Sequence, residues 1–587
     1  MEKINQKLEN FILILFIIII LIFSYSFAVK NGWHLSTNES LQFWFSKSIA
    51  ATISRIDHNL YGYIGFNKIY NFLMNYETIN DEILNKAREI KDVSSGGIFT
   101  MSELDVGYQD YSYLAFLIFG YSVSSLLNLY FLILILSITL FYLSFRKNNL
   151  SKVILLVFLL SFLLILPAAE RFSYNVGVIY SIRFMTLLAV LPLIHICFFT
   201  FNLKKINKNS LPQILSVLMQ SIILIFLYYV RTTLIWAFLL LLFFLILNII
   251  FSIIEIRKNN KFKLSAFKIF FEKSKVLILF FIILFISKIF MEYRLNPIYK
   301  ERNEGSHVVS HSIYLGLALH PEIRKSYTDE RPFSNDLSYN FFCERKFIDY
   351  HYKNDQKIKY FVRKSFCGDS NILKNILIYY LKYLDYPSND QDGFSASFKW
   401  LKENGKDEYQ LFDIKKNELI NYKNCFTWFR THGGAEKFST KTDKNLECNG
   451  TRFLWGKSDK ILNGIVKSAI INFPSEVLEL TFIIKPLRFI ITYLKHYFKS
   501  DLKNTLLTFL IFLYCAWLLK KSTLEEIKNS FTILILVLVF ALSISIFTYS
   551  NPFIIGAQSL ILTMFIYFST ICFLFFLYKK LKLFKFS

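Results

Sequence analysis

Asp81-Glu82-Ile83-Leu84-Asn85-Lys86-Ala87-Arg88-Glu89, a Ser94-Ser95-Gly96-Gly97 break, and Ser102-Glu103-Leu104-Asp105-Val106-Gly107-Tyr108-Gln109-Asp110-Tyr111 lead into an apolar stretch with no charge before Arg146. The apolar run Leu126–Phe145 is long enough to cross a hydrocarbon core of about 30 Å as a helix. Carboxylates crowded beside such a run are costly unless something uses them, so this stretch decides both the fold and the candidate site.

Working outward, similar runs recur at Phe11–Ala28, Val153–Ala169, Phe184–Leu203, Leu211–Val230, Leu234–Ile254, Val276–Met291, Leu506–Leu519, Phe531–Tyr549 and Phe553–Tyr578. With 54% hydrophobic and 18% aromatic residues in 587, the chain reads as an all-α polytopic membrane protein with about ten transmembrane helices. Five units are expected: an N-terminal anchor (1–28), a first extracytoplasmic loop with interfacial helices (29–113), a core of about six spans (114–291), an extracytoplasmic insert ending in an interfacial helix (292–503), and three final spans (504–587). The first run lacks a convincing small-x-small cleavage site and is followed by more spans, so it reads as an anchor rather than a signal peptide.

The net charge of +24 sits largely in short loops: Arg146-Lys147 with Lys152, Lys204-Lys205 with Lys208, Arg257 to Lys275, Lys520-Lys521 and the tail from Lys579. With ten spans all five fall on one side, which the positive-inside rule makes cytoplasmic, together with both termini. Composition points to a bacterial inner membrane. Nothing resembles a nucleic-acid motif, and the basic balance carries no such meaning.

Four of the seven cysteines, Cys343, Cys367, Cys425 and Cys448, lie in the insert, an even number that fits two disulfides outside the cell, in any of three pairings. Cys197, Cys515 and Cys572 lie in apolar runs, where a thiol behaves as a small hydrophobe. The stretch Pro474 to Lys499 carries Lys485 and Arg488 amid apolar residues and reads as an amphipathic helix on the outer interface. In the first loop, Asn80 or Asp81 is placed to cap a helix running from Glu82 to Lys91.

Asp81-Glu82, Ala87-Arg88-Glu89, Phe119-Gly120 and Arg146-Lys147, in that order after one anchor helix, resemble the GT-C class of membrane glycosyltransferases, such as protein O-mannosyltransferases and the aminoarabinose transferase of lipid A. The likeness covers about residues 1–150 and the multi-span layout. The family's Pro-Pro pair is replaced by Val106-Gly107 before Tyr108. The resemblance implies transfer of a sugar from a polyprenyl-phosphate donor to an envelope glycan, lipid or protein acceptor at the outer face of the bilayer. It puts Asp81 at the catalytic position with Glu82 beside it; Asp105 and Asp110, closer to the span, are further candidates.

Such chemistry needs a carboxylate to take the acceptor's proton and cations to hold the leaving phosphate. Arg231, in a tight turn between two spans, is the leading cation, followed by Arg171 and Arg183. His311 could line an acceptor pocket. His307 and His311 share metal-ligand spacing but lack a third ligand, so no cofactor is expected, with a divalent metal left open. There is no P-loop, GxGxxG, HExxH or nucleophile elbow, which favours a lipid-linked donor over a nucleotide sugar. Competing readings are an O-antigen-type polymerase or ligase, in which His311 and Arg324 of the insert would matter more, and a non-catalytic transporter or assembly protein. The smooth apolarity of the spans counts against transport.

Overall fold

The computed structural model describes residues 2–32, 39–59, 67–76, 79–90, 106–172, 181–182, 184–201, 211–259, 263–295, 473–487, 505–547 and 556–584, together with short pieces of the insert. Among these residues, nine helices are long and apolar enough to cross a membrane, and Leu506–Leu519 forms a shorter apolar helix. Each of the ten runs expected from the sequence is helical over its described residues.

In chain order the first part comprises α1 (Glu2–Gly32), four helices of the first loop, α2 (Glu39–His58), α3 (Asn67–Met74), α4 (Asp81–Arg88) and α5 (Val106–Phe119), and then α6 (Val123–Phe145). The core continues with α7 (Asn149–Phe172), a 3-10 turn (Phe184–Ala189) running into α8 (Val190–Phe201), α9 (Leu211–Val230), α10 (Ile235–Asn259) and α11 (Lys263–Arg294). After the insert come α12 (Pro474–Glu479), α13 (Thr505–Leu519), α14 (Leu524–Phe547) and α15 (Gly556–Phe584). The insert adds three short strands, β1 (Gln410–Asp413), β2 (Glu418–Asn421) and β3 (Thr451–Phe453), antiparallel in the order β2-β1-β3, with Leu411 opposite Ile420 and Phe453. The architecture is thus helical in the membrane with a small sheet in the insert.

α7 and α8 are buried along nearly their whole length, whereas α1 and α11 bury one side and leave the other to lipid. This follows from their sequences. Ser151, Ser161, Thr186 and Thr200 on the central helices are small or back-bonded and let neighbours approach, while α1 presents Phe11, Ile22 and Phe23 outward. Polar groups fasten the bundle where they can reach a carbonyl. Gln558 Nε2 of α15 donates to Ala541 O of α14 at 2.6 Å, and the Ala557 amide donates to Thr186 Oγ1 at 3.1 Å.

Two charged contacts define the two ends of the bundle. At one end Glu9 of α1 accepts from Lys521, which follows α13, and pairs with Lys152 of α7 at 3.6 Å, while the Tyr514 hydroxyl donates to Glu9 O at 2.7 Å. Glu9 and Lys152 are both buried. At the other end, the start of α6, the end of α9 and the end of α11 all meet α5. An alternating chain of ten spans requires this grouping, so side-chain contacts and loop charges agree on which span ends share a face. They are called the Glu9 face and the Asp110 face below.

Among its described residues the first loop carries α2, α3, α4 and the start of α5, which continues past residue 113 to Phe119, where Gly120 in the left-handed region (φ 83°) ends it. The Gly120 amide donates to Phe116 O at 2.9 Å. The segment expected as an interfacial helix is helical over Pro474–Glu479. From Pro474 it passes through a π-helical turn, Leu480–Ile484, and its later residues Phe489 and Tyr493 pack with Leu562 of α15 and Leu538 and Leu542 of α14. Tyr493 OH and Thr563 Oγ1 are hydrogen-bonded. Thr563 is seven residues into α15, so the contact lies about 10 Å along that helix from its start. The segment is docked on the flanks of two spans because Phe489 and Tyr493 bury their rings there.

Cys197, Cys515 and Cys572 are buried free thiols, as their apolar settings imply. Cys343, Cys367, Cys425 and Cys448, and with them the expected disulfides, lie outside the described residues.

Candidate functional site

α5 is the element that builds the candidate site, and its composition explains its position. Gly107 allows the helix to touch the end of α9, since a Cβ there would lie 2.5 Å from the Tyr229 carbonyl oxygen and from the Val230 nitrogen. One turn later the Tyr111 hydroxyl donates to the Leu126 carbonyl in α6. On another side, Ser112 Oγ and Ser48 Oγ of α2 lie 2.6 Å apart, and Thr52 Oγ1 reaches Gln109 O at 3.4 Å. Small and hydroxylated residues at these positions let the helices approach closely, as expected where packing rather than hydrophobic collapse holds helices together.

With those faces occupied, Asp110 faces two arginines from distant parts of the chain. Arg55 Nη1 of α2 lies 2.9 Å from Asp110 Oδ1, and Arg294 Nη2, at the end of α11, lies 2.6 Å from the same oxygen. Arg294 Nη1 adds a contact to Oδ2 at 3.3 Å. The side chains are only 13%, 17% and 23% exposed for Asp110, Arg55 and Arg294, so the charges are largely withdrawn from water and each depends on the others. Aromatic rings flank them. Arg55 lies 3.7 Å over Tyr113, and Arg294 is 5.2 Å from Phe290. Phe290 and Tyr293 are exposed near the end of α11, beside the cluster.

A second set of contacts fixes α4 beneath this layer. Asn80 Oδ1 accepts from the Ile83 amide at 2.9 Å and caps α4, one of the two residues expected to do so. Asp81 points away from α4 to the start of α6. Its Oδ1 accepts from the Val123 amide at 2.9 Å and its Oδ2 from Ser122 Oγ at 2.9 Å. A carboxylate at a helix N-terminus is stabilised by the free amides and the helix dipole; Asp81 Oδ1 meets such an amide, and Oδ2 holds the hydroxyl of Ser122, the N-cap of α6. Glu82 is exposed and pairs with Lys86 one turn on, at 2.6 Å, which holds its carboxyl below the usual range. Arg88 bonds Asp57 of α2 at 3.0 and 3.3 Å and stacks on Tyr121 at 3.7 Å. That bond raises the Arg88 pKa, while burial and Asp57 push the Tyr121 phenol up.

The sequence candidates are thus distributed unevenly. Asp110 joins a built cluster, Asp81 is a cap and Glu82 forms a solvent pair. Arg231 is half-buried between α9 and α10, directly after the Tyr229–Val230 backbone that Gly107 touches, so it shares the Asp110 face with α5. Asp105, Arg183 and His311 lie outside the described residues, and Arg171 falls in the last turn of α7. Sequence reasoning did not single out Arg55 or Arg294. The available signal was modest: Arg294, like Arg231, is an arginine at the lip of a span, and Arg55 ends the apolar periodicity of α2. Among the described residues no three His, Cys, Asp or Glu side chains are grouped so as to hold a metal ion.

In chemical terms, two guanidiniums held by one carboxylate can orient a phosphate or carboxylate through their planar N–H forks. Comparison with known proteins finds no matching family model, no matching curated protein and no matching solved structure.

Proposed function

We propose that the protein is an integral membrane glycosyltransferase of GT-C type, moving a sugar from a polyprenyl-phosphate donor to a cell-envelope acceptor. The observation that carries the reading is the Arg55–Asp110–Arg294 cluster, which stands where the first-loop helices meet the end of α11. The resemblance of residues 1–150 to that class and the ten-helix layout support it. The Asp110 face is assigned to the extracytoplasmic side because Lys152 and Lys521 gather at the opposite face.

In this reaction the acceptor hydroxyl oxygen attacks the anomeric carbon, the bond from that carbon to the phosphate oxygen breaks, and polyprenyl phosphate leaves. Arg55 and Arg294 neutralise charge on the departing phosphate, with Arg231 on the same face as a further cation. Asp110 aligns the two guanidiniums. The proton of the acceptor is assigned to Asp105, which directly precedes α5 in the sequence. Asp81, whose oxygens cap α6, is a structural residue in this scheme.

The test is to reconstitute the protein in liposomes with a panel of polyprenyl-phosphate sugars and a lysate-derived envelope fraction as acceptor. Release of free polyprenyl phosphate, read by mass spectrometry, is the expected result. Uptake of donor across the bilayer without release would favour transport instead.

A further inference from the structure

The interior of the bundle holds a second polar feature, remote from the Asp110 cluster and independent of the transferase reading. His195 of α8 is completely buried, and neither ring nitrogen has a hydrogen-bond partner. It lies against Phe141 and Phe145 of α6, with ring centroids 5.5 and 4.9 Å away. On α6, Ser137 and Ser144 share a face with those two rings, all four falling within an arc of about 100°. Ser137 Oγ and Ser144 Oγ are also buried without a partner. Gln220 of α9 closes the set: its Nε2 donates to Ser137 O at 2.7 Å, while its Oε1 is buried and unmatched.

An unsatisfied polar atom in a membrane interior costs on the order of 1–3 kcal/mol, and here five are gathered along one helix face. All are uncharged: the two hydroxyls and the imidazole both donate and accept, and the amide oxygen accepts. They offer no counter-charge to an anion and too few ligands to a metal. The molecule that fits is small, neutral and able to donate and accept at once, which is water. Ser144 lies in the last turn of α6, next to Arg146 and Lys147, whereas Ser137 is about 10 Å deeper. The seam therefore runs inward from the Glu9 face.

We infer that the seam between α6, α8 and α9 is an internal water-binding site, reached from the Glu9 face, that brings water to His195 inside the bundle.

Two measurements test this. In the unsubstituted protein in lipid nanodiscs, deuterium exchange at the imidazole C2–H of each histidine is followed over days by mass spectrometry; exchange at His195 within about tenfold of the rate at the partly exposed His58 is expected for a hydrated ring. Second, Ser144→Cys is treated with methanethiosulfonate ethylammonium, which reacts with thiolates in contact with water. Modification at position 144 at least about tenfold faster than at the buried native Cys515 and Cys572 is expected, and adding His195→Phe should slow it back to their rate. Absence of exchange at His195 would overturn the inference. So would a Ser144→Cys thiol as inert as Cys515 together with a higher thermal midpoint for His195→Phe, the behaviour of a dry pocket.

Discussion

Arg294 closes the last span before the insert by reaching back 184 positions to Asp110, with Nη2 at 2.6 Å from Oδ1. This bond ties the first loop to the end of α11, and Arg55 joins it from α2. Because all three side chains are mostly buried, removal of one strands the others. Asp110→Asn and Arg294→Gln should each lower the thermal midpoint of the purified protein, and the double variant should lose less than the sum. A coupling energy of about 1–3 kcal/mol is expected in a double-mutant cycle; strict additivity would mean the pair does not interact in the membrane.

Asp81 illustrates how a residue type can suggest chemistry while its geometry performs another task. Asp81→Ala leaves the Val123 amide and the Ser122 hydroxyl without their acceptor and should cost about 1 kcal/mol of stability. Asp81→Asn retains an acceptor oxygen and should cost less. Thermal unfolding of the two variants in one detergent separates them.

Gly107 sets the distance between α5 and α9. Any Cβ meets backbone there rather than a movable side chain, so Gly107→Ala should force the helices apart and destabilise by about 1–3 kcal/mol. The same change should lengthen the Asp110–Arg294 contact, which site-directed spin labels on α5 and α11 would report as a longer distance.

At the opposite face Glu9 stands between Lys152 and Lys521. Glu9→Ala leaves Lys152 buried without its carboxylate and is expected to cost about 3–5 kcal/mol, the range for breaking a buried ion pair. Glu9→Ala combined with Lys152→Met should recover much of that loss, measured by thermal unfolding.

Much of the fold was legible because hydropathy in lipid is a strong one-dimensional signal: every backbone group must be paired locally, so a long apolar run becomes a helix. The cap of α4 was also visible, as Asn80 or Asp81, from residue types at a helix end. The site was less legible because its partners are far apart in sequence. Nothing local to Arg294 announces Asp110, and Asp81 and Asp110 look alike until one is seen to meet amides and the other arginines. The packing of Phe489 and Tyr493 against α14 and α15 was hidden for the same reason, since nothing local to either ring names those partners.

The most direct test of the functional account compares donor turnover by the wild-type protein, Asp81→Ala and Asp110→Asn in proteoliposomes, normalised to folded protein. The account expects release of polyprenyl phosphate by the wild type, a rate within about threefold of it for Asp81→Ala, and a loss of about 100-fold or more for Asp110→Asn, as when a group that positions charge stabilisation is removed. Failure of the wild type to release polyprenyl phosphate from any donor in the panel, or an Asp110→Asn rate equal to the wild type, would contradict it.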